Sequence, residues 1–189
     1  QLGYKLPALL ESRARMGVTA ARETCFGDDA EMDGLVYRLY TDICARRVQG
    51  PALRSIMAAA RLYPDQMERI VAAAEEVIES DPVERICIHL EKGSPTARFA
   101  ALGRRVAPTF NTFQASLVLY ADGRLSAEAA VRIADVMVTQ YGYTRPRLSR
   151  SLEDALRRAI VTPQQVEPVL ASLGMKLPVV RARQVLGDE

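Results

Sequence analysis

Three groups of residues in this chain have types and spacings that chemistry uses. The stretch "DAEMDG" (Asp29 to Gly34) sets acids at loop positions 1, 3 and 5, with Gly34 at 6 and apolar Val36 at 8. A calcium loop begins this way, its carboxylates surrounding the ion and its twelfth residue closing the shell as a bidentate Glu. Here the twelfth residue is Tyr40, which has no carboxylate. The same acids read better as a helix start, where Asp28, Asp29 and Glu31 complement the positive end of the dipole, and no tight calcium binding is expected.

The second group is Cys87 and His89, the latter the only histidine. A thiol and an imidazole can form a nucleophile–base pair, but the surrounding residues read as a helix, where positions two apart diverge. His89 is therefore expected to be a half-buried structural residue. No phosphate-cradling glycine loop, HExxH pair or nucleophile elbow occurs. The expectation is a non-catalytic protein with no cofactor.

The third group is basic. Arg145, Arg147, Arg150, Arg157 and Arg158 fall within one short stretch, opposed only by Glu153 and Asp154, with Tyr141 and Tyr143 beside them. Arg98, Arg104 and Arg105 lie earlier, and Arg181 and Arg183 follow. Of 25 cations, all but Lys5, Lys92 and Lys176 are arginine, whose planar fork grips carboxylate or phosphate bidentately. Residues 1–94 carry 12 cations and 15 anions, a net −3, and residues 95–189 carry 13 and 8, a net +5. Three readings remain open. Arg145, Arg147, Arg150, Arg157 and Arg158 with Tyr143 form a contact surface for an acidic protein subunit; or they bind nucleic acid, with the tyrosines stacking on bases; or they are a solvated face with local ion pairs.

The elements that must position these residues read as helices. In "DQMERIVAAAEEVIES", Met67, Ile70, Val71, Ala74, Val77 and Ile78 follow the spacing of one buried face. Asp65 with Glu68, Asp81 with Glu84, and Thr162 with Gln165 have the capping-box spacing. Val83, Ile86, Cys87 and Leu90 supply a stripe behind Asp81, outweighing the brief alternation of "RICIHL". Ser94-Pro95 and Ser126 open two more helices. "ASLVLYA" suits a strand by composition but sits in a longer helical run. In "SLEDALRRAI", Leu152, Ala155, Leu156, Ala159 and Ile160 share a face, and "TRPRLSR" before it reads as a connector that collects the arginines around one helix start.

The near-identical "LGYKLP" (2–7) and "LGMKLP" (173–178) both have the grammar of a helix end, with Gly at C′, a hydrophobic residue next and Pro soon after. The first then reads as the end of a helix that precedes the chain, which opens on Gln1 and so looks cut from a longer parent. A tandem repeat is the alternative, given Arg13-Ala14-Arg15 and Arg181-Ala182-Arg183 after the two copies.

The stretch "LVLYADGRLSAEAAVRIADVM" resembles the helix–"ADGxxS"–helix segment of tellurite-resistance TerB-like helical domains. The resemblance covers 21 residues, 117–137, implies two helices joined by a turn, and transfers no residue roles.

With 189 residues, 49 % hydrophobic and 25 % charged, the chain has ordinary globular composition and the length to bury its own core. No apolar run approaches the roughly 20 residues of a membrane span. Three widely spaced cysteines, Cys25, Cys44 and Cys87, fit reduced thiols in an intracellular compartment, the cytoplasm first. The expected architecture is all-α: about nine to ten short helices in a bundle or array, forming one helical domain over 1–189 with a weak subdivision near 93–108. The expected function is a protein-interaction module, a scaffold, assembly or structural subunit whose partners are other subunits or its own copies.

Overall fold

The computed structural model describes residues 1–17 and 19–177; Pro178 and the Arg181–Arg183 motif lie outside the described residues. The chain divides into two compact units, 1–108 and 109–189.

The first unit is not helical throughout, which corrects the all-α expectation. Its order is α1 (Leu2–Met16), β1 (Glu23–Asp28), α2 (Asp33–Cys44), α3 (Gly50–Ala59), α4 (Pro64–Glu76), β2 (Val83–His89), a 3-10 helix (Thr96–Leu102) and β3 (Val106–Thr109). The strands form a parallel sheet in the order β1-β2-β3. The chain is thus mixed α/β, about 60 % helix and 10 % strand.

The "RICIHL" alternation was the truer signal there, and Asp81 explains why the capping-box spacing misled. Asp81 caps no helix. Its carboxylate takes a bidentate hydrogen bond from Arg105 and further contacts from Arg47. Pro82 enters the strand instead, its carbonyl accepting the Glu23 amide at 2.9 Å. β2 is the central strand, with Val83, Ile86, Cys87 and Ile88 buried, as a strand covered on both faces requires. β1, "ETCFGD", carries no such run and is half-exposed along its length. Glu23 pairs with Val83 and Thr24 with Arg85, leaving Glu84 as an extra residue on β2.

The opening "LGYKLP" is also helical. Leu2, Leu6 and Leu10, four apart, are buried along one side of α1, and that burial carries the helix through Pro7. Gly3 lies where α1 meets α4: a Cβ there would come within 2.6 Å of the Gln66 side chain. The core joins these leucines to Val36, Leu39, Tyr40 and Ile43 of α2, Ile70 of α4, and Val83, Ile86 and Ile88 of β2. α4 starts at Pro64, not behind an Asp65 cap; the Gln66 side chain accepts the Tyr63 amide at 3.2 Å. Ser94-Pro95 leads into the 3-10 helix.

The second unit is helical: α5 (Thr112–Ala121), α6 (Ala127–Gln140), α7 (Arg145–Arg157) and α8 (Pro163–Leu173). Six successive residues of α5, Phe113 to Val118, are buried, the mark of a central helix, and α6, α7 and α8 pack on it. Asn111, Ser126, Thr144 and Thr162 cap the four helices through their side chains. Gly174 ends α8 in the left-handed conformation at φ 62, so "LGMKLP" closes a helix while "LGYKLP" begins one. "TRPRLSR" is no connector: Thr144 caps α7, and Pro146 occupies its first turn, where a missing amide costs nothing. Leu152, Ala155 and Leu156 face inward, but α7 ends before Ala159, which is exposed.

Among the described residues no helix is long and apolar enough to cross a membrane.

Candidate functional site

In the first unit, polar side chains gather beyond the carboxyl ends of β1 and β2. Asp28 ends β1 and His89 ends β2, and the two are register partners. His89 is exposed rather than half-buried. On a strand, residues two apart share a face, so Cys87 and His89 lie on one side. Their spacing of about 6.6 Å along the strand keeps them from bonding directly, and Cys87 is buried where His89 is exposed.

The loop after β1 is held by its own acids. The Asp28 carboxylate accepts the amides of Ala30 and Glu31 at 2.9 and 3.1 Å. Asp29 accepts the amides of Lys92 and Ser94, both at 2.8 Å, tying this loop to the one after β2. Burial raises the Asp29 carboxyl, but those two amides outweigh it and bring it down to about 2. Asp33, at the start of α2, has a side chain only 6 % exposed. It accepts the Asp28 amide at 3.2 Å, and its closeness explains Gly27, whose missing Cβ would lie 2.4 Å from Asp33 Cβ.

Lys5 completes the cluster. From the second turn of α1 its ammonium donates to Asp33 and to Glu31. The Asp33 bond first, and the Glu31 bond second, hold the Lys5 ammonium well above its ordinary range; the same contact with Lys5 lowers Glu31. The acids of "DAEMDG" are thus spent on separate partners: Asp29 on amides, Glu31 and Asp33 on Lys5. Among the described residues, no three His, Cys, Asp or Glu are grouped to hold a metal ion. Sequence reasoning missed Lys5 because its hexapeptide was read as a helix end. It missed Asp28 and His89 as a pair because neither strand was expected.

The arginines of the second unit are spread along α7. Arg145 donates to the Leu173 carbonyl at 2.7 Å, capping α8. Arg147 stacks on the Tyr143 ring at 4.1 Å. Arg157 and Arg158 sit about 20 Å further on, at the other end of the helix, where cations suit the dipole. Both pair with Asp154, at 2.6 and 2.7 Å. Arg158, 13 % exposed, also bonds Gln114 at 3.0 Å and covers the Phe110 ring. Arg145, Arg147, Arg150 and Arg157 are exposed, so four of the five lie at the surface, along the helix and at both of its ends rather than at one.

No protein-family model, no curated protein and no solved structure matches the chain. In the structure, residues 117–137 are the end of α5, a turn at Asp122–Gly123 and most of α6.

Proposed function

We propose that residues 1–108 bind a small polar ligand beyond the carboxyl ends of the parallel strands, at Lys5, Asp28, Asp33 and His89. The observation that carries this reading is the reach of Lys5 from α1 to Asp33 and Glu31 at the end of β1. The loops that leave the carboxyl ends of parallel strands are where open α/β sheets place ligands, although the order β1-β2-β3 has no reversal of strand order. The loops there are already ordered by Asp28 and Asp29, so little ordering entropy opposes binding. Asp28, Asp29, Glu31 and Asp33 outnumber the single ammonium of Lys5, so the cluster suits a metabolite that presents hydroxyl or amino donors. The reading assigns binding and no catalytic step. A thermal-shift series with inorganic phosphate, sugar phosphates, nucleotides and amino acids tests it. At least one of them raises the melting temperature of the wild type by several degrees and leaves Lys5→Ala unmoved. A series in which the wild type responds to none overturns the reading.

A second reading concerns residues 109–189: an interaction module, non-catalytic, whose exposed Arg147, Arg150 and Arg157 contact an acidic face of another subunit. Their outward position on α7 favours it. Arg147→Glu with Arg150→Glu then weakens association with co-purifying chains several-fold at unchanged melting temperature. Binding to a generic oligonucleotide that falls steeply with salt would point to nucleic acid instead.

A further inference from the structure

β1 is the outermost strand of its sheet. The Asp29 amide donates to the His89 carbonyl at 3.0 Å, so counting back in steps of two, Gly27 and Cys25 also turn their main-chain groups toward β2. Thr24, Phe26 and Asp28 turn theirs away. Two outward groups are met from α2: the Tyr37 hydroxyl donates to the Phe26 carbonyl at 2.8 Å, and the Asp28 amide donates to Asp33. Among the described residues nothing meets the amides of Thr24 and Phe26, and the Phe26 carbonyl keeps a second lone pair.

The side chains show the same asymmetry. Cys25 packs against the core, and Gly27 lies on Asp33. On the opposite face, at the middle of the strand, Phe26 is 57 % exposed. Edges of this kind are ordinarily blunted by Lys, Pro or a bulge on the edge strand. β1 has neither Lys nor Pro, and its one irregularity is the extra residue on β2.

We propose that β1 pairs antiparallel with β1 of a second copy of this chain, across a two-fold axis that sets Phe26 opposite Phe26. The sequence "RETCFGDD" is the reason for a second copy: Arg22 opens it, and Asp28 and Asp29 close it. Two-fold antiparallel pairing puts Thr24 opposite the partner's Asp28. It puts Arg22, on the same face, diagonal to that Asp28, within reach of a long side chain. The Arg22 side chain is 60 % exposed and only loosely held in its own chain, 3.6 Å from Glu84 and 3.3 Å from the Asp81 carbonyl. Parallel pairing of two copies would instead stack Arg22 on Arg22 and Asp28 on Asp28, which like charges oppose. The antiparallel arrangement bonds the two Phe26 amides and carbonyls reciprocally, lets the Thr24 amides reach the Asp28 carbonyls, and buries the two rings as a cross-strand aromatic pair. The proposal rests on the outward Thr24 and Phe26 amides and the exposed Phe26 ring, and not on the ligand reading.

Light scattering across a concentration series, with hydrogen exchange at the same concentrations, tests it. The wild type shifts from monomer to dimer, and protection of the Thr24 and Phe26 amides rises with concentration. Phe26→Asp raises the dissociation constant about tenfold or more. Should that variant fold poorly, Thr24→Pro serves, since it removes only an outward amide and leaves the bonds to β2 intact; it is monomeric at concentrations where the wild type is dimeric. A wild type that stays monomeric throughout overturns the proposal. So does a dimer that keeps its affinity in Thr24→Pro and leaves both amides unprotected.

Discussion

The two units hold their charges in different ways. In the first, ion pairs join elements far apart in the chain. Arg69 meets Glu11 across 58 residues, Arg105 meets Asp81 across 24, and Lys5 meets Asp33 across 28. One of these networks is buried: Arg13, its side chain 2 % exposed, donates to Glu23 at 2.9 Å and to Ser80, while the Tyr40 hydroxyl donates to the other Glu23 oxygen at 2.8 Å. In the second unit the ion pairs are mostly local, Arg157 and Arg158 both lying within one turn of Asp154. Apart from Arg145 on the Leu173 carbonyl, its long-range polar contacts centre on buried Gln114, which takes the Phe110 amide and Arg158 and donates to Ser151 and Asp154. Charge thus welds tertiary structure in residues 1–108, whereas in residues 109–189 it chiefly decorates helices.

Removing one partner from each kind of site measures that contrast. Arg13→Ala strands Glu23 and the Tyr40 hydroxyl in a half-buried setting, and a lost partner in such a pair costs about 3 kcal/mol. Urea unfolding should register that loss, and hydrogen exchange should locate it in α1 and β1; a loss under about 1 kcal/mol would mean that solvent reaches Glu23 freely. Gln114→Ala is the counterpart in the second unit. It orphans the Phe110 amide and the Ser151 carbonyl and costs about 2 kcal/mol, read as weakened protection of α5 and α7 with α1 untouched.

Acid should divide the units next. Arg105 first, then Arg47, overcome the burial of Asp81 and hold its carboxyl at about 2, where Asp29 also lies. A depressed carboxyl stabilises the fold fully above its unfolded value, near about 4, and the stabilisation is lost as pH falls toward 2. The first unit therefore loosens between about pH 4 and 2, and Asp81→Asn flattens the dependence while lowering stability at neutral pH. In the second unit burial raises Asp154, but Arg158 and Gln114 prevail and lower it, so it follows the same sign through one carboxylate. Melting curves taken as a function of pH check this. Smallest of all is Arg157→Ala. That guanidinium is 74 % exposed, and its pair with Asp154 contributes no more than about 0.5 kcal/mol, a change within the scatter of thermal melts.

The same division governs how much could be read beforehand. In α8, Thr162, Gln165 and Gly174 are cap residues whose partners lie within one turn, so the letters alone set both ends of the helix. Ser126 and the start of α6 behave likewise. Asp81 had the same local spelling, yet Arg105 and Arg47 claim its carboxylate, and the cap it would have made gives way to a strand. The site at the strand ends was illegible for the same reason. Lys5 carries meaning only once α1 lies beside the β1–α2 loop, and Asp28 and His89 only once two strands 60 positions apart are in register.

The sequence by itself determined the helices whose signals are short-range: stripes at three- and four-residue spacing, side-chain caps, and glycine at a left-handed end. These depend on bonds closed within about one turn, so they survive without knowledge of the rest of the chain. Tertiary structure alone decided three things. "LGYKLP" became the first turns of α1 because Leu2, Leu6 and Leu10 found a core, whereas "LGMKLP" closed α8 at Gly174. "ETCFGD", with little strand character of its own, became β1 because β2 offered it a ladder. And Lys5 became a neighbour of Asp33. The physical reason is common to all three: pairing energies between distant segments exceed the few tenths of a kcal/mol per residue by which local propensities differ, and only the folded chain brings those segments together.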